Sequence, residues 1–327
     1  MLLMVIFFIS DLMFRSSVFT ILIFLFFLSL PLLSQDNGLI EKARLELKNR
    51  GEIYFCFVLQ ESYSIDFFSE LFSISEFNND TVVAYANEEQ FSRFLRLNIP
   101  FDLLIPPSLQ YRPQRLLKTT PGKTGKTYPT YQQYINLLNQ YEKEFSDLCQ
   151  TINIGETVGG KGIFVVKISD NVTSDEAEPE VFYTSTIHGD EPSGFILMLR
   201  LIDHLLSQYD SNDRITYLVD NAEVFINPVA NPDGLYFLSD TSVFGAKRFN
   251  LNNVDLNRDF PDIEDEAGET VQPETWSMMN FMNQRNIILS ANFHDGAEVV
   301  NYPWDRWVRK HPDDEWFIRL SRQYADT

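Results

Sequence analysis

Four short apolar runs set the frame of this chain, because helical stretches alternate with them. Ile163–Ser169, Val181–Ile187, Ala222–Ile226 and Ile287–Phe293 read as strands. Tyr131–Phe145, Pro192–Leu206 and Glu274–Asn283 carry helical spacing. Such alternation predicts an α/β domain, a mixed and mostly parallel twisted sheet with helices on both faces. Of the 327 residues 44% are hydrophobic, so a sizeable core can be buried.

The sequence ahead of that domain divides into three parts. Residues 1–34 read as a leader. Val18–Leu33 is almost wholly apolar, Arg15 precedes it and Ser34 follows it, the pattern of a secretory signal. The run is short for a membrane span, and Leu32 fits the cleavage rule poorly, so a retained membrane anchor is the alternative. Residues 35–105 form a small α/β unit: a helix over Leu39–Arg50, strands at Gly51–Leu59 and Thr81–Ala86, an Asn87-capped helix over Glu88–Leu97, and a third strand at Leu103–Ile105. Residues 106–127, rich in Pro, Lys, Arg and Gly, read as an exposed linker whose basic residues suit proteolytic processing. The α/β domain takes 128–327.

The formal charge is −20. An acidic surface repels phosphate backbones, which excludes nucleic acid as the expected partner, and it attracts cationic peptides. The two cysteines, Cys56 and Cys149, could pair. They lie 93 residues apart across an expected domain boundary, which favours two buried free thiols. Asn79-Asp80-Thr81 and Asn171-Val172-Thr173 are glycosylation sequons, relevant in a eukaryotic secretory route.

The chemistry starts where a strand ends. Val181–Ile187 runs into His188, and Glu191 follows three residues later, beside Pro192 at the start of the next helix. Both side chains can face the crevice where open α/β sheets bind ligands. His294 stands at the end of Ile287–Phe293. His-x-x-Glu alone is a common surface pairing. Joined by a distant strand-end histidine, it supplies the three protein donors that a catalytic zinc ion takes beside an open position. His204 sits mid-helix and His311 in a charged, proline-containing loop, so neither competes.

Between the ligands lie Asn227-Pro228, Asn231-Pro232-Asp233-Gly234, Asp255-Leu256-Asn257-Arg258-Asp259-Phe260-Pro261-Asp262 and Gln272-Pro273-Glu274-Thr275; Ser290-Ala291-Asn292-Phe293-His294 closes the series. In this order, from about Tyr128 to Thr327, the series resembles the zinc metallocarboxypeptidase family, in particular its regulatory D, E, M and N branch. The resemblance implies one Zn2+ ion held by His188, Glu191 and His294. It implies that Arg248 polarises the scissile carbonyl and that Asn257 and Arg258 grip the substrate's terminal carboxylate, for which guanidinium is the natural fork. It also implies that Asp305, within Val299–Asp305, reads a basic side chain at the substrate's C-terminus. The expected activity is removal of the last residue, Lys or Arg by preference, from peptides or proteins.

The family's catalytic glutamate, and a tyrosine that closes over the substrate, come from a segment downstream of Thr327. The chain is therefore expected to be a truncated, inactive piece of an active enzyme, since losing a general base costs about 10²–10⁴-fold. Two alternatives stand beside this reading: a non-catalytic, zinc-containing peptide-binding module, and a related zinc amidase or deacylase. The Asn257-Arg258 clamp argues against the last. The expected location is secreted or extracytoplasmic, with membrane association only if the leader stays. Oligomeric state is not legible.

Overall fold

The computed structural model describes residues 37–110, 128–261, 270–296, 298–304 and 309–326. The expected leader and most of the expected linker lie outside these residues. No helix among those described is long and apolar enough to cross a membrane.

The first sheet belongs to the N-terminal unit. Helix α1 (Asn37–Arg50) leads into β1 (Ile53–Val58), and α2 (Ile65–Leu71), β2 (Ser73–Asn78), β3 (Thr81–Ala86), α3 (Glu88–Leu95), β4 (Phe101–Leu103) and the short α4 (Pro107–Gln110) follow. The strand order is β2-β3-β1-β4, with all pairings antiparallel. Alternation in β1 turns Ile53, Phe55 and Phe57 inward, as a half-buried strand requires. Phe55 packs its ring 5.4 Å from Phe72, 5.6 Å from Phe91 and 5.1 Å from Phe94, in the edge-on geometry aromatic pairs prefer.

Asn87 caps α3 and Gln90 reaches back to it, a reciprocal capping box. Asn79 and Asp80 both take positive φ, 46° and 62°, to close the β2–β3 hairpin; the first sequon therefore sits on an exposed turn. The unit holds more than the sequence disclosed. Helix α2 and strand β2 were not expected, and the third strand forms two residues early, because Phe101 fills the inward position opposite Phe57.

The second sheet runs β5-β6-β8-β7-β9. Its elements are α5 (Tyr131–Glu144), β5 (Cys149–Glu156), β6 (Gly162–Ile168), β7 (Glu180–Ser185), α6 (Ser193–Gln208), α7 (Asp213–Val219), β8 (Glu223–Asn227), α8 (Pro232–Leu235), a 3-10 turn (Leu256–Arg258), α9 (Pro273–Asn283), β9 (Ile287–Phe293) and α10 (Asp314–Ala325). The sheet is mixed. β7 pairs in parallel with β8 and β9, while β5–β6 and β6–β8 are antiparallel. The parallel trio matters most, because its strands end on one edge.

Strand alternation splits the core between the two faces. Val166, Ile168, Val224 and Ile226 join Tyr134 and Leu138 of α5 and Phe195, Leu199 and Ile202 of α6 on one side. Ile163, Val165, Phe182 and Phe225 meet Met278 and Phe281 of α9 on the other. Both faces carry helices, as expected. β8 is buried along its whole length. Among the described strands β9 stands at the edge of the sheet, where its residues alternate between half-buried and exposed and Ile288 is solvent-facing.

Cys149 is buried and Cys56 half-buried, and both are free, so only one of the two thiols is enclosed as expected. The Phe195 ring sits 5.2 Å from Tyr134 at the centre of the first core. Phe195→Ala should lower the unfolding free energy by about 3–5 kcal/mol, read from the midpoint of a denaturant titration.

Candidate metal centre

The three donors reach one point because β7 and β9 are adjacent and parallel. Past Ser185 the chain takes a left-handed step at Thr186, φ 57°, and is fastened by Ala230 N–H to Ser185 O (3.0 Å) and Asn231 N–H to Thr186 O (3.1 Å). Asn231 donates its amide to Ile187 O at 3.2 Å and accepts from Gly234 N–H at 2.8 Å. Gly189 then crosses the backbone of Gly234 so closely that a Cβ would overlap it. The Asn-Pro-Asp-Gly run is thus the clamp that fixes the His188–Glu191 turn. Asn227 ties strands together, accepting from Thr184 Oγ1 at 2.9 Å and donating to Phe164 O at 2.8 Å.

Glu191 is the hub. Its Oε1 lies 2.9 Å from His188 Nδ1 and 3.1 Å from Arg248 Nη1. Its Oε2 lies 2.8 Å from His294 Nδ1 and accepts from Asp295 N–H at 3.2 Å. The ligand atoms of His188, Glu191 and His294 all fall within 4.8 Å of one another. Tetrahedral zinc ligands stand roughly 3.3 Å apart at the usual bond lengths, so a small spreading of these groups admits the ion. The donor set, two imidazoles and one carboxylate, fits zinc.

Asp255 completes the arrangement, and the sequence did not single it out. Its Oδ1 is 3.0 Å from His188 Nε2 and its Oδ2 accepts from Arg248 Nε at 3.2 Å. A proton on Nε2 leaves Nδ1 as the lone-pair donor toward the metal position. His294 is held less firmly. Its Nε2 lies 3.1 Å from the Asn292 amide; with Nδ1 on a metal, Nε2 is protonated and Asn292 must present its oxygen.

Burial alone would raise the carboxyl pKa values of Glu191 and Asp255. At Glu191 the hydrogen bonds from His188 and His294 outweigh it, and at Asp255 the charges of His188 and Arg248 do, so both are held below the ordinary range. Burial opposes the Arg248 charge, but Asp255, Asp190 and Glu191 together keep it firmly cationic. His188 likewise resists burial and the Arg248 charge through Asp255 and Glu191, and its pKa is raised.

The N-terminal unit touches this site. Ser73 at the start of β2 hydrogen-bonds Asp255. Glu52, fully enclosed, accepts from the backbone N–H of Arg248 and of Phe249, each at 3.1 Å. Arg50 donates to the Gly245 and Ala246 carbonyls at 3.1 and 3.0 Å. The Arg248 guanidinium lies 5.6 Å from the Tyr85 ring. Burial first, then the Asp190 charge, pushes both the Glu52 carboxyl and the Tyr85 hydroxyl up. No local sequence pattern around Glu52, Ser73 or Tyr85 marks these roles.

Asn257 and Arg258 sit in the 3-10 turn, both exposed, with Arg258 Nη1 donating to Asn257 O at 2.9 Å. Asn257 lines a cavity of about 200 Å³ with Thr184, Ile187, Ala230, Met278 and Ser290. Asp305 lies outside the described residues. His204 is exposed on α6, and His311 stands 4.8 Å from the Trp304 ring; neither joins the group of His188, Glu191 and His294.

Two histidines and a glutamate at one edge of a mixed α/β sheet make a candidate metal site of the zinc-enzyme kind. Residues 134–327 match the family model described as zinc carboxypeptidase, and the chain belongs to that family. It is 35% identical to mouse carboxypeptidase M over 199 residues, 58% of this chain and 45% of that protein. It is equally identical to Arabidopsis thaliana carboxypeptidase SOL1 over 226 residues, 66% and 43% of the two chains. Human carboxypeptidase D matches at 35% over 196 residues, 14% of its length. The chain therefore spans less than half of each of these relatives. Their names place the resemblance in the regulatory branch. Among solved structures, carboxypeptidase A from Helicoverpa armigera superposes with a TM-score of 0.61 at 18% identity, covering 84% of this chain and 77% of its own. Thrombin-activatable fibrinolysis inhibitor gives 0.56 at 16%, covering 84% and 78%. Coverage of 84% exceeds what residues 128–327 alone provide, so the shared fold includes part of the N-terminal unit.

Asp255→Asn should weaken zinc affinity by about 10–100-fold while leaving the circular dichroism spectrum intact, as measured by competition with a chromogenic chelator.

Proposed function

We propose that the chain carries the metal centre and carboxylate clamp of a zinc-dependent carboxypeptidase, which removes the last residue of peptides or proteins and prefers Lys or Arg. The supporting observation is the meeting of His188, Glu191 and His294 donors beside Arg248. When bound, zinc supplies Lewis acidity that polarises a carbonyl and makes water more acidic. Asp255 holds the His188 ring in one tautomer. Arg248 offers a fixed positive charge where negative charge develops on the carbonyl oxygen. Asn257 and Arg258, exposed beside the cavity, hold the terminal carboxylate through paired charge-assisted bonds. That grip makes the cleavage exopeptidic. The Lys/Arg preference rests on Asp305 and on the acidic surface. The leader-like first 34 residues support a secreted or extracytoplasmic location.

The zinc-loaded full-length gene product, as distinct from residues 1–327 alone, should release C-terminal Lys and Arg faster than Phe. It should ignore the same peptides when their C-termini are amidated. Arg258→Ala should lower kcat/KM by about 10–100-fold, the cost of one charge-assisted contact. Equal turnover of amidated peptides, or full activity in His294→Ala, would sink the reading.

We further propose that residues 35–105 act as a prodomain-like cover. Ser73, Glu52 and Tyr85 all reach Asp255 or Arg248, so a seated unit restricts the approach of a peptide. Proteolysis within the basic 106–127 linker, followed by separation of the unit, should raise the rate of C-terminal residue release. An unchanged rate after complete separation would count against the cover.

A further inference from the structure

A second group of carboxylates gathers at the opposite end of the sheet. Glu180 opens β7 and Glu223 opens β8, and the parallel register sets them side by side. His188 lies beyond the other end of β7, so strand length alone puts roughly 20 Å between the two places. Asp175, from the loop before β7, brings its carboxylate to the same point, and one ligand oxygen from each of the three lies within 4.8 Å of the others.

Glu180 is 4% exposed and Glu223 fully buried. Each keeps one buried oxygen, Oε2, with no hydrogen-bond partner. Carboxylates are rarely enclosed this way, since a buried acceptor left unmade is costly. The neighbouring cation does not resolve it. Lys167 Nζ is 2.6 Å from Glu223 Oε1, but that is the other oxygen, and the same ammonium also donates to Ser174 O at 2.5 Å. A backbone hydrogen bond from Asn286 and the Arg285 charge together only partly offset the burial that raises the Glu180 carboxyl. Glu178 adds a further unpartnered buried oxygen close by, and its own carboxyl is raised by burial and by Glu176, Asp170 and Glu223. The local charge is therefore negative beyond what Lys167 and Arg285 neutralise.

We propose that Asp175, Glu180 and Glu223 form a binding site for one divalent cation of the calcium type, separate from the zinc centre. All donors are carboxylate oxygens, which suit a hard ion and not zinc or copper. Oxygens gathered within 4.8 Å of one another can share a single ion at about 2.4 Å each. Asp175 comes from a turn-rich loop and is exposed, so it can adjust to calcium's variable coordination, whereas magnesium demands a near-ideal octahedron. The bound ion would fasten the 170–179 loop to the starts of β7 and β8 and satisfy the two buried oxygens.

The test uses the full chain with zinc bound, dialysed free of calcium. Calcium chloride is titrated calorimetrically and thermal unfolding is followed in parallel. One equivalent should bind with a dissociation constant of about 10⁻³ M or tighter, and Tm should climb with calcium concentration. Asp175→Asn, an exposed change that spares the Lys167 pair, should weaken binding by at least roughly tenfold. Asp240→Asn, an exposed carboxylate elsewhere, should bind calcium as the parent does. Zinc content should stay constant throughout. Absence of binding heat up to about 10 mM calcium, magnesium binding as tight as calcium, or undiminished binding by Asp175→Asn would each overturn the assignment.

Discussion

One carboxylate organises the metal centre. Glu191 divides its oxygens between two imidazoles, giving one to His188 with Arg248 and the other to His294 with the Asp295 N–H. These groups arrive from β7, β9 and the loop carrying Arg248, which share no local sequence. Such a hub works only if its own turn is immobile. That explains why so much buried polar structure, Asn227, Asn231 and Asp233 among it, is devoted to the strand ends rather than to the ligands themselves. Removing one such partner would leave another buried group unsatisfied, the costly outcome for any enclosed hydrogen-bond network.

The same logic extends into the N-terminal unit. Glu52 gives both carboxylate oxygens to backbone amides of the segment that carries Arg248. Lys247 runs the other way, donating to Arg50 O at 3.0 Å and to Asn253 at 2.7 Å, and burial pulls its pKa down to about 8. A carboxylate and an ammonium from opposite sides are thus enclosed together, with Asn87 adding a bond to Asn253 O. Buried ionic contacts add little net stability compared with apolar packing but penalise misplacement severely. They suit a surface that must seat in one position.

Much of this is legible in the sequence. The apolar runs at 163–169, 181–187 and 222–226 become β6, β7 and β8 within two residues, because a buried strand advertises itself through unbroken β-branched and aromatic residues. The meeting of His188, Glu191 and His294 is expected from two strand ends together with the ordered motifs around them. What stayed hidden lacks such a signature. β5, Cys-Gln-Thr-Ile-Asn-Ile-Gly-Glu, is a half-polar edge strand whose partner is set by tertiary contact. Asp255 lies inside a run whose obvious feature was the neighbouring Asn-Arg pair. Its role depends on a histidine 67 residues away. Glu52 acts across a separation of 196 residues, a distance at which no periodicity helps.

Arg248 carries a consequence of its own. Its amide is gripped by Glu52 from the N-terminal unit, while its guanidinium grips Glu191 and Asp255 beside the metal position. Main chain and side chain of a single residue thereby belong to two different bodies of the protein. The side chain that joins them spans about seven bonds, from the amide held by Glu52 to the guanidinium beside the candidate ligand Glu191. Displacing that first body would remove the Glu52 bond that fixes the main chain of the residue holding Glu191 and Asp255 together.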